Sequence, residues 1–249
     1  MDYQAFKYRS LNENFYRTIK ASEIWFAPPR TLNDPFDCNV AVMKAVRIAM
    51  ERCNGAKKVD LLRLLNAGTL HGVRDIFEHM NSNGVTKLGI FSLSHETENP
   101  LLWAHYSDNH EGVCLIYQFN KSFVWSQENK VLAFPYVNYS MEPLIDFFMH
   151  GFFETTKIRD LLFEVLKIVI TLKSPEWSYE REVRMVRNGS GAVTIPKSFL
   201  SGVIFGVRVG QKKKEELIDY FGDNGYKTQF FDAIENPSEF GIAVSEYDA

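Results

Sequence analysis

Hydrophobic and polar positions alternate through QAFKYRS near the start of the chain, with Phe6 and Tyr8 on one side and Lys7 and Arg9 on the other. A period of two predicts a first β-strand. NENFYRTIKAS then predicts a short helix, and EIWFAPP a second strand that ends in the turn residues Asn33, Asp34 and Pro35. From Val40 to Asn81 the spacing is helical, through VMKAVRIAMERC, VDLLRLLNAG and LHGVRDIFEHM, with Gly55 and Gly68 as punctuation. KLGIFSLS predicts the next strand. NPLLWAHYSD opens a helix with Asn99 as N-cap and Pro100 at its first position.

GVCLIYQF and KVLAFPYVNYS read as further strands, followed by one long helix from about Pro143 to Leu172. WSYEREVRMVR, GVIFGVRV and KTQFFDAI complete the strands, with KKKEELIDYF a helix between the last two. Strands thus flank a helical middle, which favours a mixed sheet over a regular βαβ alternation. The expected fold is α+β, with a mixed, mainly antiparallel central sheet. One domain is expected over residues 1–249, with a helical insertion at about 40–82.

Composition narrows the classes. The chain has 249 residues, 45% hydrophobic and 24% charged, with a formal net charge of -3, so its overall charge carries no nucleic-acid footprint. Cys38, Cys53 and Cys114 form no CxxC pair and leave an odd thiol, which points to a reducing compartment. The N-terminal MDYQAFKYRS lacks an apolar signal core, and Glu164 and Lys167 interrupt the apolar run Leu161 to Leu172. A cytoplasmic protein without a membrane span is expected.

The sharpest local feature is Tyr179-Glu180-Arg181-Glu182-Val183-Arg184. On a strand, Glu180, Glu182 and Arg184 would share one face while Val183 and Met185 enter the core. Two carboxylates about 7 Å apart on a rigid strand suit hydrogen bonding to a sugar hydroxyl and the steering of a nucleophile. The same spacing also suits a solvated face of alternating charge. Ser92 and Ser94 lie at the polar end of their strand, where they line a cleft or simply meet water. Arg9 ends the first strand and presents a guanidinium suited to a phosphate or an ordinary ion pair. His105 and Tyr106 offer a stacking wall, with Trp103 in the core.

Of His105, Asp108 and His110, only Asp108 and His110 are close after the helix ends, and no third ligand lies at usable spacing, so no metal is expected. Asp34 and Asp37 in NDPFDC suit turn chemistry. No GxxxxGK[ST], GxGxxG or GxSxG occurs.

FKYRSLN, EIWFAPPRTLNDPFDC, IFSLS, LLWAHYSDNHEGVCLIYQF and WSYEREVR, taken in that order, resemble the bacterial family called domain of unknown function 2971, from Phe6 to about Gly206. That family carries no assigned activity. The order strand-Arg, strand-Ser, Glu-x-Glu also looks like the Arg-Ser-Glu arrangement of ADP-ribosyltransferases. This second resemblance implies an ADP-ribosyltransferase-like fold and NAD as substrate. It implies that Arg9 holds the NAD phosphates or ribose and that Ser92 or Ser94 orients the nicotinamide-side ribose. Glu182 would stabilise the oxocarbenium-like cation and Glu180 would direct the acceptor, a protein or a nucleic acid. A toxin or phage-defence effector would fit. Two alternatives stay open, a non-catalytic ligand-binding domain of the same shape and a hydrolase or nuclease using Asp34, Asp37, His105 or Glu180. Oligomeric state is not legible.

Overall fold

The computed structural model describes residues 3–38, 42–66, 87–151, 158–238 and 240–248. The chain forms two compact units. The first comprises residues 1–26, 90–135 and 179–249, and the second residues 27–89 and 136–178.

The first unit is built on an eight-stranded sheet in the order β10-β9-β8-β4-β1-β3-β6-β5. Its strands are β1 (Tyr3–Arg9), β3 (Leu88–Ser94), β4 (Val113–Phe119), β5 (Val131–Ala133), β6 (Glu182–Asn188), β8 (Leu200–Phe205), β9 (Gln229–Asn236) and β10 (Gly241–Glu246). β1 pairs antiparallel with β3 and β4, β4 with β8, β5 with β6, and β9 with β10. β8 and β9 pair in parallel, and the helix Gln211–Asp223 connects them, as a parallel crossover requires. The fold is therefore α+β with a mainly antiparallel sheet. A separate two-stranded ribbon joins β2 (Glu23–Phe26) to β7 (Gly191–Thr194).

Alternation along the strands divides the burial between two faces. Ala5, Phe91, Leu93, Val113, Leu115, Tyr117, Val183, Met185 and Phe205 enter a large core that also holds Phe15 and Ile19 of helix α1 (Glu13–Ala21). Tyr8, Cys114 and Ile204 face the other way, onto Leu102 and Trp103 of the helix Pro100–Tyr106. Trp103 is fully buried, meets Tyr8 edge-on at 5.0 Å and donates its indole N–H to the Thr97 carbonyl. That bond satisfies the one polar group a buried Trp carries.

The second unit is helical. Helices α2 (Val42–Arg52) and α3 (Gly55–Asn66) lie in the expected helical segment, whose LHGVRDIFEHM part falls outside the described residues. With the helix Pro100–Tyr106 as α4 and the short Lys121–Val124 as α5, the next is α6 (Glu142–Met149), followed by α7 (Ile158–Val169) and, in the first unit, α8 (Gln211–Asp223). Ala45, Val46, Ala49, Leu144, Phe148 and Val165 form this unit's core. Lys173 is buried beside Asp37, Nζ to Oδ2 3.7 Å.

Three expectations are corrected. The helix expected from Pro143 to Leu172 is not continuous. α6 stops at Met149 because His150 leaves helical geometry (φ -129°, ψ -61°), with the weak helix former Gly151 next in line. KVLAFPYVNYS supplies only the short β5, since Pro135 has no N–H to continue the ladder. WSYEREVRMVR is not one strand: a 3₁₀ turn covers Pro175–Glu180, and β6 begins at Glu182.

Candidate functional site

β1, β3 and β6 are neighbours in the sheet, so the strands bearing Arg9, the two serines and Glu182 do meet. Their side chains do not all share a face. Phe6 sits opposite Ser94, whereas Arg9 sits opposite Val113, a residue of the large core. Arg9 is an odd number of residues from Phe6, and alternation turns it to the side away from Ser94. The structure does not bring Arg9 together with Ser92, Ser94, Glu180 and Glu182.

Arg181 breaks the expected Glu-x-Glu geometry. Its φ of 43° lies in the left-handed region, and it separates the 3₁₀ turn from β6. Glu180 and Glu182 are therefore not alternate residues of one strand.

Glu182 and Arg184 are. They share a strand face and form a bidentate pair, Nε to Oε1 2.8 Å and Nη2 to Oε2 2.9 Å. Glu182 is 3% exposed and Arg184 0%, so the pair is sealed from water. A carboxylate held this way is neutralised by its guanidinium and serves the fold before any ligand.

Glu180 is placed differently. The Tyr106 hydroxyl donates to its Oε1. Its backbone carbonyl accepts from Ser94 Oγ at 2.6 Å, and Ser94 Oγ in turn accepts from the Glu96 N–H at 2.9 Å. Ser94 thus uses its hydroxyl to fasten the 3₁₀ turn to the end of β3. His95 N–H adds a bond to the Arg181 carbonyl at 3.2 Å. Ser92 is half-buried on the same strand face as Ser94, and its carbonyl accepts from Lys7 Nζ at 2.7 Å.

His105 and Tyr106 end α4, whose N-terminus is fixed by Asn99 accepting from Leu101 N–H and by Pro100. Exposed His105 is 2.8 Å from the Tyr179 hydroxyl through Nδ1. Its ring meets those of Tyr179 and Tyr106 at 5.8 and 6.2 Å. The Asn99 amide donates to the Tyr179 carbonyl at 3.3 Å. One buried carboxylate, two phenols, an imidazole and a serine are thus gathered where β3 ends and β6 begins. Arg181 and Glu96 add an ion pair at the rim, 3.6 Å apart. His95 is held below the usual histidine pKa by burial and by the Arg181 charge.

Arg9 and Glu182 drop out of the expected set, the first by facing the other side of the sheet and the second by its pairing with Arg184. Tyr179 and Glu96 join it. Tyr179 adjoins Glu180 in the chain and was readable as its neighbour, but nothing in the sequence pairs it with His105. Among the described residues, no three His, Cys, Asp or Glu side chains cluster as metal ligands.

Residues 102–185, which carry most of α4, all of β4, and both Glu180 and Glu182, match the family model described as "Protein of unknown function (DUF2971)". The DUF2971 likeness is thereby shown on those residues. No curated protein and no solved structure matches the chain.

The DUF2971 stretch contains SDNHEG, whose Asp108, Asn109 and His110 all have left-handed φ, 49°, 52° and 73°. Their backbone is over-determined. Asn109 and His110 N–H groups bond to Ala104 and Trp103 carbonyls, and the His110 carbonyl accepts from Arg208 N–H at 3.0 Å. A Cβ on Gly112 would lie 2.3 Å from the Arg9 carbonyl oxygen, and one on Gly206 would lie 2.2 Å from that of His110. The distinctive residues of this loop therefore close the turn between α4 and β4 against its neighbours. Asp108 and His110 serve that turn. Among the described residues, no helix is long and apolar enough to cross a membrane.

Proposed function

We propose that the first unit is an ADP-ribosyltransferase-like domain that acts on NAD, with Glu180, in place of Glu182, as the carboxylate facing the reacting ribose. The observation that carries this reading is the Ser94–Glu180–Tyr106 linkage. It fastens a serine at the end of one strand to a buried glutamate preceding the neighbouring one, 5% exposed, with the exposed His105–Tyr179 pair alongside. The adjacency of β1, β3 and β6 also supports it.

In the reaction the glycosidic C–N bond of nicotinamide breaks, and nicotinamide leaves with the electron pair. Positive charge develops at the ribose carbon, and a fixed carboxylate stabilises it more than the neutral ground state. The acceptor nucleophile then forms the new bond at that carbon and gives up its proton. His105, exposed and oriented through Nδ1 by the Tyr179 hydroxyl, is placed to take it through its other ring nitrogen. Ser92, whose hydroxyl lies on the Ser94 face, and Tyr106 are proposed to contact the nucleotide. The acceptor is a protein or a nucleic acid, in the setting of a toxin or phage-defence effector.

A second reading is a ligand-binding domain without turnover. The Glu182–Arg184 pair and the outlying Arg9 favour it, since one charge expected at a catalytic site is paired within the fold and the other faces the opposite side of the sheet. Nicotinamide release and NAD-dependent melting separate the two. The first reading expects turnover by the wild type and a loss of about a hundredfold in Glu180→Gln, the usual cost of removing a preorganised electrostatic contact. NAD that raises the melting temperature without nicotinamide release supports the second. Wild-type protein that neither releases nicotinamide nor is stabilised by NAD rejects both.

A further inference from the structure

Glu180 lies where regular structure gives the chain little hold. It closes a 3₁₀ turn, and Arg181 then takes a left-handed φ of 43° before β6 begins. The last carbonyls of a helical turn have no donor further along that turn and take partners from elsewhere. Here the loop from Ser94 to Asn99, which joins β3 to α4, meets three successive carbonyls. Tyr179 accepts from Asn99 Nδ2 at 3.3 Å, Glu180 from Ser94 Oγ at 2.6 Å and Arg181 from the His95 N–H at 3.2 Å.

Peptide planarity turns the first two bonds into a hold on Glu180. The Tyr179 carbonyl shares a plane with the Glu180 N–H, and the Glu180 carbonyl shares one with the Arg181 N–H. Rotation of those two planes about the Glu180 Cα is what its φ and ψ describe. Asn99 holds the first plane and Ser94 the second, while the Tyr106 hydroxyl fixes the carboxylate at the end of the side chain.

The loop that supplies these donors is itself anchored. Its Glu96, Thr97 and Glu98 carbonyls accept from the Tyr8 hydroxyl on β1 at 2.8 Å, the Trp103 indole on α4 at 2.8 Å and the Ile242 N–H on β10 at 3.1 Å. The Glu96 carboxylate turns back onto the Thr97 and Glu98 N–H groups, 3.1 Å from each. Asn99 has a second task, since its Oδ1 accepts from Leu101 N–H at 2.9 Å as the N-cap of α4. A backbone N–H only donates and a carbonyl only accepts, so one orientation of the amide serves both. Capping needs the oxygen alone. The nitrogen is what ties the start of α4 to Glu180.

We propose that Asn99 is a positioning residue for the transferase reaction, fixing through Nδ2 the backbone from which the Glu180 carboxylate reaches the ribose. This role rests on the NAD reading of the same site. A carboxylate that is slightly misplaced stabilises the developing cation less, while the binding of NAD is little affected.

The test separates the two ends of the amide. Asn99→Asp keeps the capping oxygen, in a residue that caps as well as Asn, and sets an acceptor against the Tyr179 carbonyl. It melts as wild type does, lowers kcat for nicotinamide release at least about tenfold and leaves KM for NAD within about twofold. The NMR resonance of the Glu180 carboxyl carbon moves as well, which a capping role alone would not cause. Wild-type kcat in this variant overturns the proposal, as does a loss confined to KM or a Glu180 resonance that stays in place. A wild type that releases no nicotinamide rejects the NAD reading by itself, and the resonance then decides whether Asn99 holds Glu180. Should Asn99→Asp melt well below wild type, Asn99→Ser decides. Serine also caps, but its side chain is too short to reach the turn from the cap, and wild-type kcat in that variant overturns the proposal too.

Discussion

Glu182 and Glu180 are the same residue type two positions apart, yet their surroundings give them opposite work. Glu182 is locked to Arg184 by two hydrogen bonds at 2.8 and 2.9 Å in a site closed to water. Withdrawing the negative charge leaves Arg184 buried without its bidentate carboxylate. We therefore expect Glu182→Gln to destabilise the first unit by about 3–5 kcal/mol, the usual cost of breaking a buried pair. Denaturant unfolding of the variant measures this, and a variant as stable as wild type would remove the pair from the fold's support. Glu180 also lies out of water, but its carboxylate takes a phenol hydroxyl and its backbone takes the Ser94 hydroxyl. The alternation of Glu182, Val183 and Arg184 was legible in the sequence, whereas Glu180 does not belong to that strand. The left-handed φ of Arg181 that separates the two glutamates was not legible, since no Gly or Asn marks that position.

At the scale of the element, the helices and strands with clear periodicity form where the pattern places them. β1, β3, β4, α1 and α4 follow their alternation or caps, down to Asn12 and Asn99 accepting from backbone N–H groups. β7 and β10 escaped the reading, because GAVT is short and half-exposed and GIAVSE is apolar only in part. The α4–β4 turn provides an element-scale test. A methyl group at Gly206 would meet the His110 carbonyl oxygen at 2.2 Å, and that atom belongs to backbone held by its own hydrogen bonds. Gly206→Ala is expected to cost about 1–3 kcal/mol, as overpacking does where the neighbour cannot move. The unfolding midpoint reads it, and an unchanged midpoint would show that the turn yields freely.

For the whole molecule, pH reports, among the described residues, on two histidines whose pKa lies below the ordinary 6.5. Burial and Arg181 depress His95; burial and Arg208 depress His110 against the pull of Glu235. The folded state therefore binds protons less readily than the unfolded chain. Their contribution to stability is complete above the ordinary histidine value and is lost as the pH falls through the lowered ones. The urea midpoint is expected to drop between about pH 7.5 and about pH 5.5, and to drop less in His95→Gln/His110→Gln. A fall of equal size in the double variant would assign the loss to other groups.

The sequence by itself determined the α+β class, the mainly antiparallel strands, the burial of Trp103 and the DUF2971 likeness. Each of these follows from local periodicity, capping chemistry or a run of characteristic residues. Only the tertiary structure decided which charges meet. Arg9 and Ser94 stand on adjoining strands, and whether they share a face depends on a register set by residues far apart in the chain. Glu182 is neutralised by Arg184, and Tyr106 reaches Glu180 from 74 positions away. Periodicity says which side of its own strand a residue takes. Pairing across strands decides what that residue finds there.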